Sequence, residues 1–574
     1  MWESLHPGVA GLGWRPVGEA AWALEADAGL DLMVNARMRA TAAEVTRLAI
    51  PGVRDVVPAC ASITVHVDPR RFRQDDAVRL PALAPVSTVA LGRLRDVPVV
   101  YDGEDLEALA VSTGLAVDEV RRRHADIDYT VLMLGFAPGF PYLGTVDPRL
   151  VVGRRAIPRV RVPHGAVAIA GGMTCIYPGG TAGGWHVLGR TDLRLFDAAE
   201  ASPATLAPGD RVRFVPVDRL EPDERACGPD ARAEGLTGGL TVLRGGASTT
   251  VQDLGRWGFQ ALGVPVSGAC DADALRWANR AVGNPDGAAG LEVAAVGPEL
   301  RVEQNTVVAY TGADMDAHID GRPMSVGEPV VARQGAVIRC GQTRGGLRGY
   351  LAIAGGLDVP IVLASRSTCL PGGFGGIAGR TLRAGDRVAI GRARDAAHEG
   401  RVWPESHLAP TVSSRPPSSG METSHVAQRR EATARRVAGE PVRLRVLPGP
   451  QRAAVGESHL ARLLSGTFQV SAQLNRVACR LQGRPTSLPV PFDDMVPVGT
   501  VPGAVQVTPA GDLLVLLADR QTTGGYPQVL SVIGADLGSA SQLCPGDAVQ
   551  FALCSLSEAT AALVAAEAMF LNHV

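Results

Sequence analysis

Three groups of polar residues have the types and spacing to do chemistry. In VQDLGRWG (251–258), Asp253 and Arg256 stand three apart in a Gly-flanked turn, with Gln252 beside them, so a carboxylate and a guanidinium can orient each other. An ion pair that serves structure alone fits the same spacing. In LLADRQTTGGYPQV (516–529), an apolar strand runs straight into Asp519, Arg520 and Gln521, followed by Thr522, Gly524, Gly525 and Tyr526. Polar groups gathered where a buried strand ends are a common way to build a site on a rigid scaffold. An exposed hairpin tip explains the Asp and Arg but not the adjoining Tyr526-Pro527. Finally, His186 follows GGTAGG (179–184); histidine can act as acid or base near neutral pH, although a packed or solvated one is commoner.

Two further motifs supply walls rather than reacting groups. GFAPGFPYLG (135–144) follows the apolar run 129–134 and holds Phe136, Phe140 and Tyr142 between Pro138 and Pro141. A buried turn and a rigid pocket wall are both consistent with it. The Gly-rich loops present Gly183 and Gly184, then Gly373 and Gly376 in GGFGG (372–376), and their unshielded N–H groups can approach an anion. Tight hairpins need the same glycines.

These loops recur in order. AIAGG (168–172), GGTAGG and GDRV (209–212) return as AIAGG (352–356), GGFGG and GDRV (385–388), and more loosely as TTGGYP (522–527) and PGDAV (545–549). One barrel-like module used three times accounts for the series. Short Val/Ile-rich runs between Gly and Pro turns indicate a mainly β fold. Ahead of them lies a strand-helix-strand lobe: residues 20–27 alternate, Val34, Met38, Ala42, Val45 and Ala49 share a helical face, and 62–67 alternates again. Asp271 should cap a helix that carries Asn279. At 574 residues, about three or four units are expected. We place an α+β lobe at 1–85, a first barrel at 86–217, a linker at 218–237, a second barrel at 238–397, a flexible linker at 398–440, and a third barrel with a C-terminal helix at 441–574.

A net charge of −2 offers no field to recruit nucleic acid or an anionic membrane, and no stretch of eighteen apolar residues occurs. A cytoplasmic location is expected. The nine cysteines show no metal-ligand spacing, so no metal site is expected. All 56 basic side chains are arginine. That excludes a Walker-type loop, a Schiff-base lysine and covalent biotin on this chain.

The motifs LGFAPGFPYLG, PRVRVPHGAVAIAGG, IYPGGTAGGWHVLGRT and PGDRVRF resemble the family of the B component of bacterial ATP-dependent 5-oxoprolinase, also described as carboxyltransferase subdomains C and D. VQDLGRWG, AVGNPDGAAGLE, YLAIAGG, SRST, NRVACRLQG and LLADRQTTGGYP resemble the family of the C component, subdomains A and B. The order suggests a fusion of two usually separate proteins. The resemblance implies cyclophilin-like β-barrels in two fused halves beside the α+β lobe. It also implies a substrate or nucleotide site drawn from Thr174, Tyr177, Arg190, Ser365, Arg366, Asn475 and Arg476 together with the residues above.

Two chemistries follow from it. One is ATP-dependent opening of the 5-oxoproline lactam to glutamate, with Mg expected alongside ATP and the LamB/YcsF-type A component of 5-oxoprolinase as partner. The other is carboxyl transfer of the urea carboxylase kind, with a biotin carrier in trans. A non-catalytic kinase-regulating protein is a third class, because relatives include a kinase inhibitor and its antagonist; assembly with further copies of the chain also stays open. Both reactions act on a small lactam or amide whose oxygen gains negative charge. Arg256, Gly-loop N–H groups or Thr522 would stabilise that oxygen, Asp253, Asp519 or His186 would manage protons, and the site is expected between the barrels. The sequence departs from the family pattern at Met173-Thr174-Cys175, where Gln-Thr-Gly is usual, at Ala182 in place of Pro, at Ala364 in place of Gly, and at 477–479 after the NR motif.

Overall fold

The computed structural model describes residues 13–86, 88, 92–221, 239–392, 439–483 and 495–571. Both expected linkers lie almost wholly outside these residues. In the N-terminal lobe, the antiparallel order is Trp14–Pro16, Ala21–Glu25, Ser62–Val67, Val53–Pro58. Helix Leu32–Leu48 covers one face. It begins where the Asp31 carboxylate accepts the amides of Met33 and Val34, and it stops at Ala49, which takes a left-handed φ of 46°. Ile63, Val65 and Val67 point into this core, as their alternation requires. The opposite face carries Ser62, Thr64 and His66, yet it too is buried, because the third barrel covers it.

The first barrel runs His186–Arg190, Ala166–Ala170, Met173–Ile176, Pro141–Gly144, Asp128–Leu134, Arg211–Pro216, Leu94–Val99. A bridge between Val100 and Arg190 joins its ends. The second unit packs a six-stranded sheet containing Leu240–Arg244 against a five-stranded sheet containing Ser248–Gln252, Gly290–Ala294 and Arg344–Ile353 around one apolar core. Helix Ala272–Ala281 begins as expected, with the Asp271 side chain accepting the amide of Ala274. The third unit is a closed barrel ordered Val442–Pro448, Gln528–Val532, Ala504–Val507, Leu513–Leu516, Ala478–Gln482, Phe468–Leu474, Ala548–Leu553. The fold is therefore mainly β with few helices, as expected, and no helix among the described residues is long and apolar enough to cross a membrane.

The GD repeat has a structural cause. Asp210, Asp386 and Asp547 each accept, on Oδ2, the amide three residues back, at 3.0, 2.7 and 2.8 Å, and each precedes a barrel strand. The glycines before them have φ of 98°, 92° and 89°, which a side chain rarely adopts. One Asp-closed turn is thus used three times to launch a strand. Finally, helix Leu556–Leu571 returns from the third barrel to the rest of the molecule. Its Phe570 stacks on Trp277 at 4.5 Å, and its Glu567 binds Arg276 on the second unit and Arg70 on the lobe.

Candidate functional site at the junction of the barrels

GFAPGFPYLG is a seam. Phe140 packs edge-on against Phe136 (5.2 Å), Tyr142 (4.9 Å) and Tyr177 (5.2 Å), so the aromatics fill their own core. Burial pushes the Tyr142 and Tyr177 hydroxyls well above their usual range. The loop's backbone meets the second unit, where the Gly139 amide donates to the Leu262 carbonyl (2.9 Å) and Leu134 pairs with Leu262. It also meets the third barrel: a Cβ on Gly135 would lie 1.8 Å from Thr523 Oγ1. Arg154 stands 6.0 Å from the Tyr526 ring centre and packs on Gly525.

The segment after strand Leu513–Leu516 turns its polar side chains inward. Arg520 is 1% exposed. Its Nη2 donates to Gln260 Oε1 at 2.7 Å, and among the described residues no carboxylate lies within ion-pair distance. Burial lowers its pKa to about 9, with Asp55 opposing. Asp55, from the lobe, accepts the Gly258 amide (2.8 Å) and the Gln260 amide and side chain (both 3.2 Å); burial nevertheless raises it above the ordinary range. His66 is kept neutral by burial and by the nearby Arg520 charge. Lobe, second unit and third barrel therefore converge on one buried guanidinium.

Asp519 faces a second buried cluster. Arg476 holds it with two hydrogen bonds (2.9 and 3.1 Å), reaches Glu292 with Nη1, and donates to the Gly268 carbonyl at 2.6 Å. Glu292 also accepts from Tyr350 (2.8 Å) and the Cys270 amide (2.9 Å), and lies 3.7 Å from Arg348. Two carboxylates and two guanidiniums thus balance at the contact between second and third units. Burial alone would raise Glu292, but Arg476 and Arg348 more than offset it and hold the carboxyl below the ordinary range. The role expected of Asp519 in handling protons is not supported, because both its oxygens are committed to Arg476.

The expected pairing of Asp253 with Arg256 is absent. Asp253 accepts from the Ser365 hydroxyl (2.8 and 3.0 Å), the Ser367 hydroxyl, and the amides of Gly255 (2.8 Å) and Arg366 (2.7 Å). Arg256 instead donates to the Ser367 carbonyl and lies 5.1 Å from the Phe374 ring centre, its pKa lowered by burial. Asp253, Ser365 and Arg366 line a cavity of about 210 Å³ together with Gly355, Gly356 and Leu357. Arg366 is engaged there by Asp358 and the Val359 carbonyl.

The other expected residues mostly serve the fold. Thr174 bonds His124 and the Ala168 carbonyl inside the first barrel. His186 donates to the Gly153 carbonyl at 3.1 Å, and Arg190 pairs with Asp102 at 2.9 Å. Gly183 packs under the Tyr177 hydroxyl, and the Gly184 carbonyl accepts the Arg155 amide. Asn279 ties down the loop carbonyls of Asp286 and Ala288. Gln252 donates to Thr250 and the Thr368 carbonyl. Asn475 Oδ1 closes its own turn, and the Gln521 carbonyl accepts from Thr500.

The Gly-rich loops are hairpins and turns rather than open anion cradles. Residues 181–183 pair with 159–162, Thr523–Gly524 pairs with Val498–Gly499, and the Gly373 amide bonds the Cys369 carbonyl. Asp55, His66, Gln260, Arg154, Glu292 and Arg348 were not singled out from the sequence. Glu292 alone left a signal, a charge inside the apolar strand Gly290–Ala294.

Two family models match the chain: "carboxyltransferase domain, subdomain C and D" over residues 12–206, and "subdomain A and B" over 262–553. The chain belongs to the carboxyltransferase-domain family. Within it, residues of the second and third units are 34% identical over 320 residues to the C component of 5-oxoprolinase from Escherichia coli K12, covering 56% of this chain and 93% of that protein. The first part is 39% identical over 211 residues to the B component of 5-oxoprolinase from Escherichia coli O157:H7, covering 35% of this chain and 94% of that one. The crystal structure of TTHA0988 superposes with a TM-score of 0.76 at 35% identity, over 93% of this chain and 99% of that chain. This carboxyltransferase-domain protein thus joins a B-like and a C-like part, and a single chain of nearly the same extent has been solved with the same fold.

Proposed function

We propose that the chain is the fused B–C component of a 5-oxoprolinase-like amidohydrolase that opens the 5-oxo-L-proline lactam to glutamate, with ATP and a LamB/YcsF-type partner. One observation carries this reading: the chain covers 93% and 94% of two differently named subunits of one enzyme. The packing supports it, since Asp55 from the B-like part is hydrogen-bonded by Gln260 and Gly258 from the C-like part. The domain boundaries drawn from the sequence belong to the same proposal.

In this reading the junction polarises an amide. A lactam carbonyl becomes more reactive as its oxygen gains negative charge, and a buried guanidinium held at a fixed place stabilises that charge far better than water does. Arg256, buried and with Nε and Nη1 lacking a hydrogen-bond partner, has that position. Asp253 and Asp519 act as positioning groups, the first organising 365–368 and the second fixing Arg476. The Gly-rich loops, closed on themselves, do not fit a triphosphate, so nucleotide binding is assigned to the partner and no step here passes through it.

The test mixes the full chain with a LamB/YcsF-type protein and follows ATP hydrolysis with and without 5-oxo-L-proline. Stimulation by the lactam is expected. Absence of stimulation, with decarboxylation of carboxybiotin by the chain instead, would move the assignment to carboxyl transfer.

A further inference from the structure

The lobe presents a polar face where an apolar one would pack better. Strand Ser62–Val67 sends Ile63, Val65 and Val67 into its own core and buries Ser62, Thr64 and His66 on the other face, where Thr64 meets Gly499 of the third barrel and His66 lies near Arg520 and 6.0 Å from the Trp257 ring. The third barrel answers with Gln506, Arg520, Thr522 and Gln528. Ser62, His66, Gln506, Arg520, Thr522 and Gln528 are each 2% exposed or less.

The two walls meet closely, since a Cβ on Gly499 would lie 2.3 Å from Thr64 Oγ1; within the barrel wall, a Cβ on Gly524 would lie 2.9 Å from Gln506 Nε2. Gln506 stands opposite Gln528 in the barrel, and the Thr500 amide ties Thr522 beside them. Across this contact several polar atoms have no hydrogen-bond partner: Ser62 Oγ, His66 Nε2, Arg520 Nε, Thr522 Oγ1, Gln528 Oε1, and both ends of the Gln506 amide.

Buried polar groups are nearly always paired, and each unpaired one costs stability. A buried guanidinium without a carboxylate is more expensive still. Several of them on two facing walls make a set of donors and acceptors awaiting a partner. The set has a definite chemistry: one fixed positive charge, an amide that can both donate and accept, hydroxyls, and an imidazole that burial keeps neutral.

We propose that Arg520, Gln506 and Thr522 of the third barrel, with Ser62 and His66 of the lobe facing them, form a subsite for a small molecule that carries both a carboxylate and an amide or lactam. Arg520 takes the carboxylate and the Gln506 amide pairs with the ligand's amide. The lobe is then half of the binding site, which makes the site incomplete in either part alone. This rests on the reading of the chain as an amide-processing component, and it names the ligand class and the residues that read it.

The experiment measures binding by calorimetry to the full chain, alone and with the LamB/YcsF-type protein. The probes are 5-oxo-L-proline, N-acetylglycine, 2-pyrrolidinone and urea. Wild type should bind the two amide carboxylates at least about tenfold more tightly than 2-pyrrolidinone, the scale of one charge-assisted hydrogen bond. Arg520→Met should erase that preference while the melting temperature holds or rises, because a buried unpaired charge has been removed. Gln506→Met and Ser62→Ala, milder changes that keep the fold if Arg520→Met does not, should each weaken binding about threefold to tenfold.

Binding of N-acetylglycine that depends on Arg520, without lactam opening in the mixture, would uphold the subsite and remove the proposed function. Lactam opening with affinities indifferent to all three substitutions would overturn the subsite and leave the function standing. Failure of both carboxylates to bind, alone and with the LamB/YcsF-type protein, would overturn it outright.

Discussion

Arg476→Met would remove the guanidinium that holds Asp519 and reaches Glu292 across the contact between second and third units. Among the described residues, Arg476 supplies both hydrogen bonds to Asp519. Breaking a buried pair by deleting one partner costs about 3–5 kcal/mol, because the remaining charge stays buried. At about 2–4 °C per kcal/mol for units of this size, the melting temperature should fall by about 10 °C.

The pH dependence should change as well. In the native protein Glu292 is held below its ordinary value, so its contribution is complete above about pH 4.5 and is lost as acid protonates it in the folded state. Without Arg476, burial dominates and the Glu292 carboxyl rises. The variant's deficit is then greatest near pH 7.5 and shrinks towards pH 5, where protonation relieves it. Double substitution with Asp519→Leu should recover about 2 kcal/mol or more, because Arg348 and Glu292 still balance. Calorimetric melting of the native, single and double variants at both pH values decides the matter. A single-variant loss under about 1 kcal/mol, equal at both pH values, would refute the account of the cluster.

Ala364 has a φ of 60° beside Ser365, so Ala364→Gly should stabilise the protein by about 1 kcal/mol in thermal melts. Asp253→Asn places an NH₂ among two hydroxyls and two amides; a loss of about 2 kcal/mol is expected in denaturant titration. His124, buried between Tyr101 and Thr174, has its pKa lowered to about 3 by burial. The unfolded chain therefore takes up a proton near pH 6.5 that the folded chain refuses until about pH 3. Stability should fall as pH drops through that window, by about 2 kcal/mol between pH 6.5 and 5 from this group, and His124→Gln should flatten the slope.

The sequence disclosed the architecture better than the site. Alternation and helical spacing located strands Ala21–Glu25 and Ser62–Val67 and helix Leu32–Leu48, because apolar period and burial are physically linked there. The GD repeats pointed to one module used three times because each launches a strand from the same turn. Partnerships were hidden: Asp253 and Arg256 are neighbours in sequence, but a Gly turn sends one to 365–368 and the other to Phe374. His66 drew no notice, since nothing local says that a barrel some 430 residues onward covers its face of the strand. Pairings set by long-range packing leave no periodic trace.

The central claim is that one polypeptide supplies the B and C functions of lactam opening. It is tested most directly by adding ATP, Mg and 5-oxo-L-proline to the full chain with a LamB/YcsF-type protein and measuring glutamate. The account predicts glutamate from the mixture and none when either protein is omitted. A mixture that makes no glutamate, while the chain alone moves carboxyl from carboxybiotin to an amide, would contradict it.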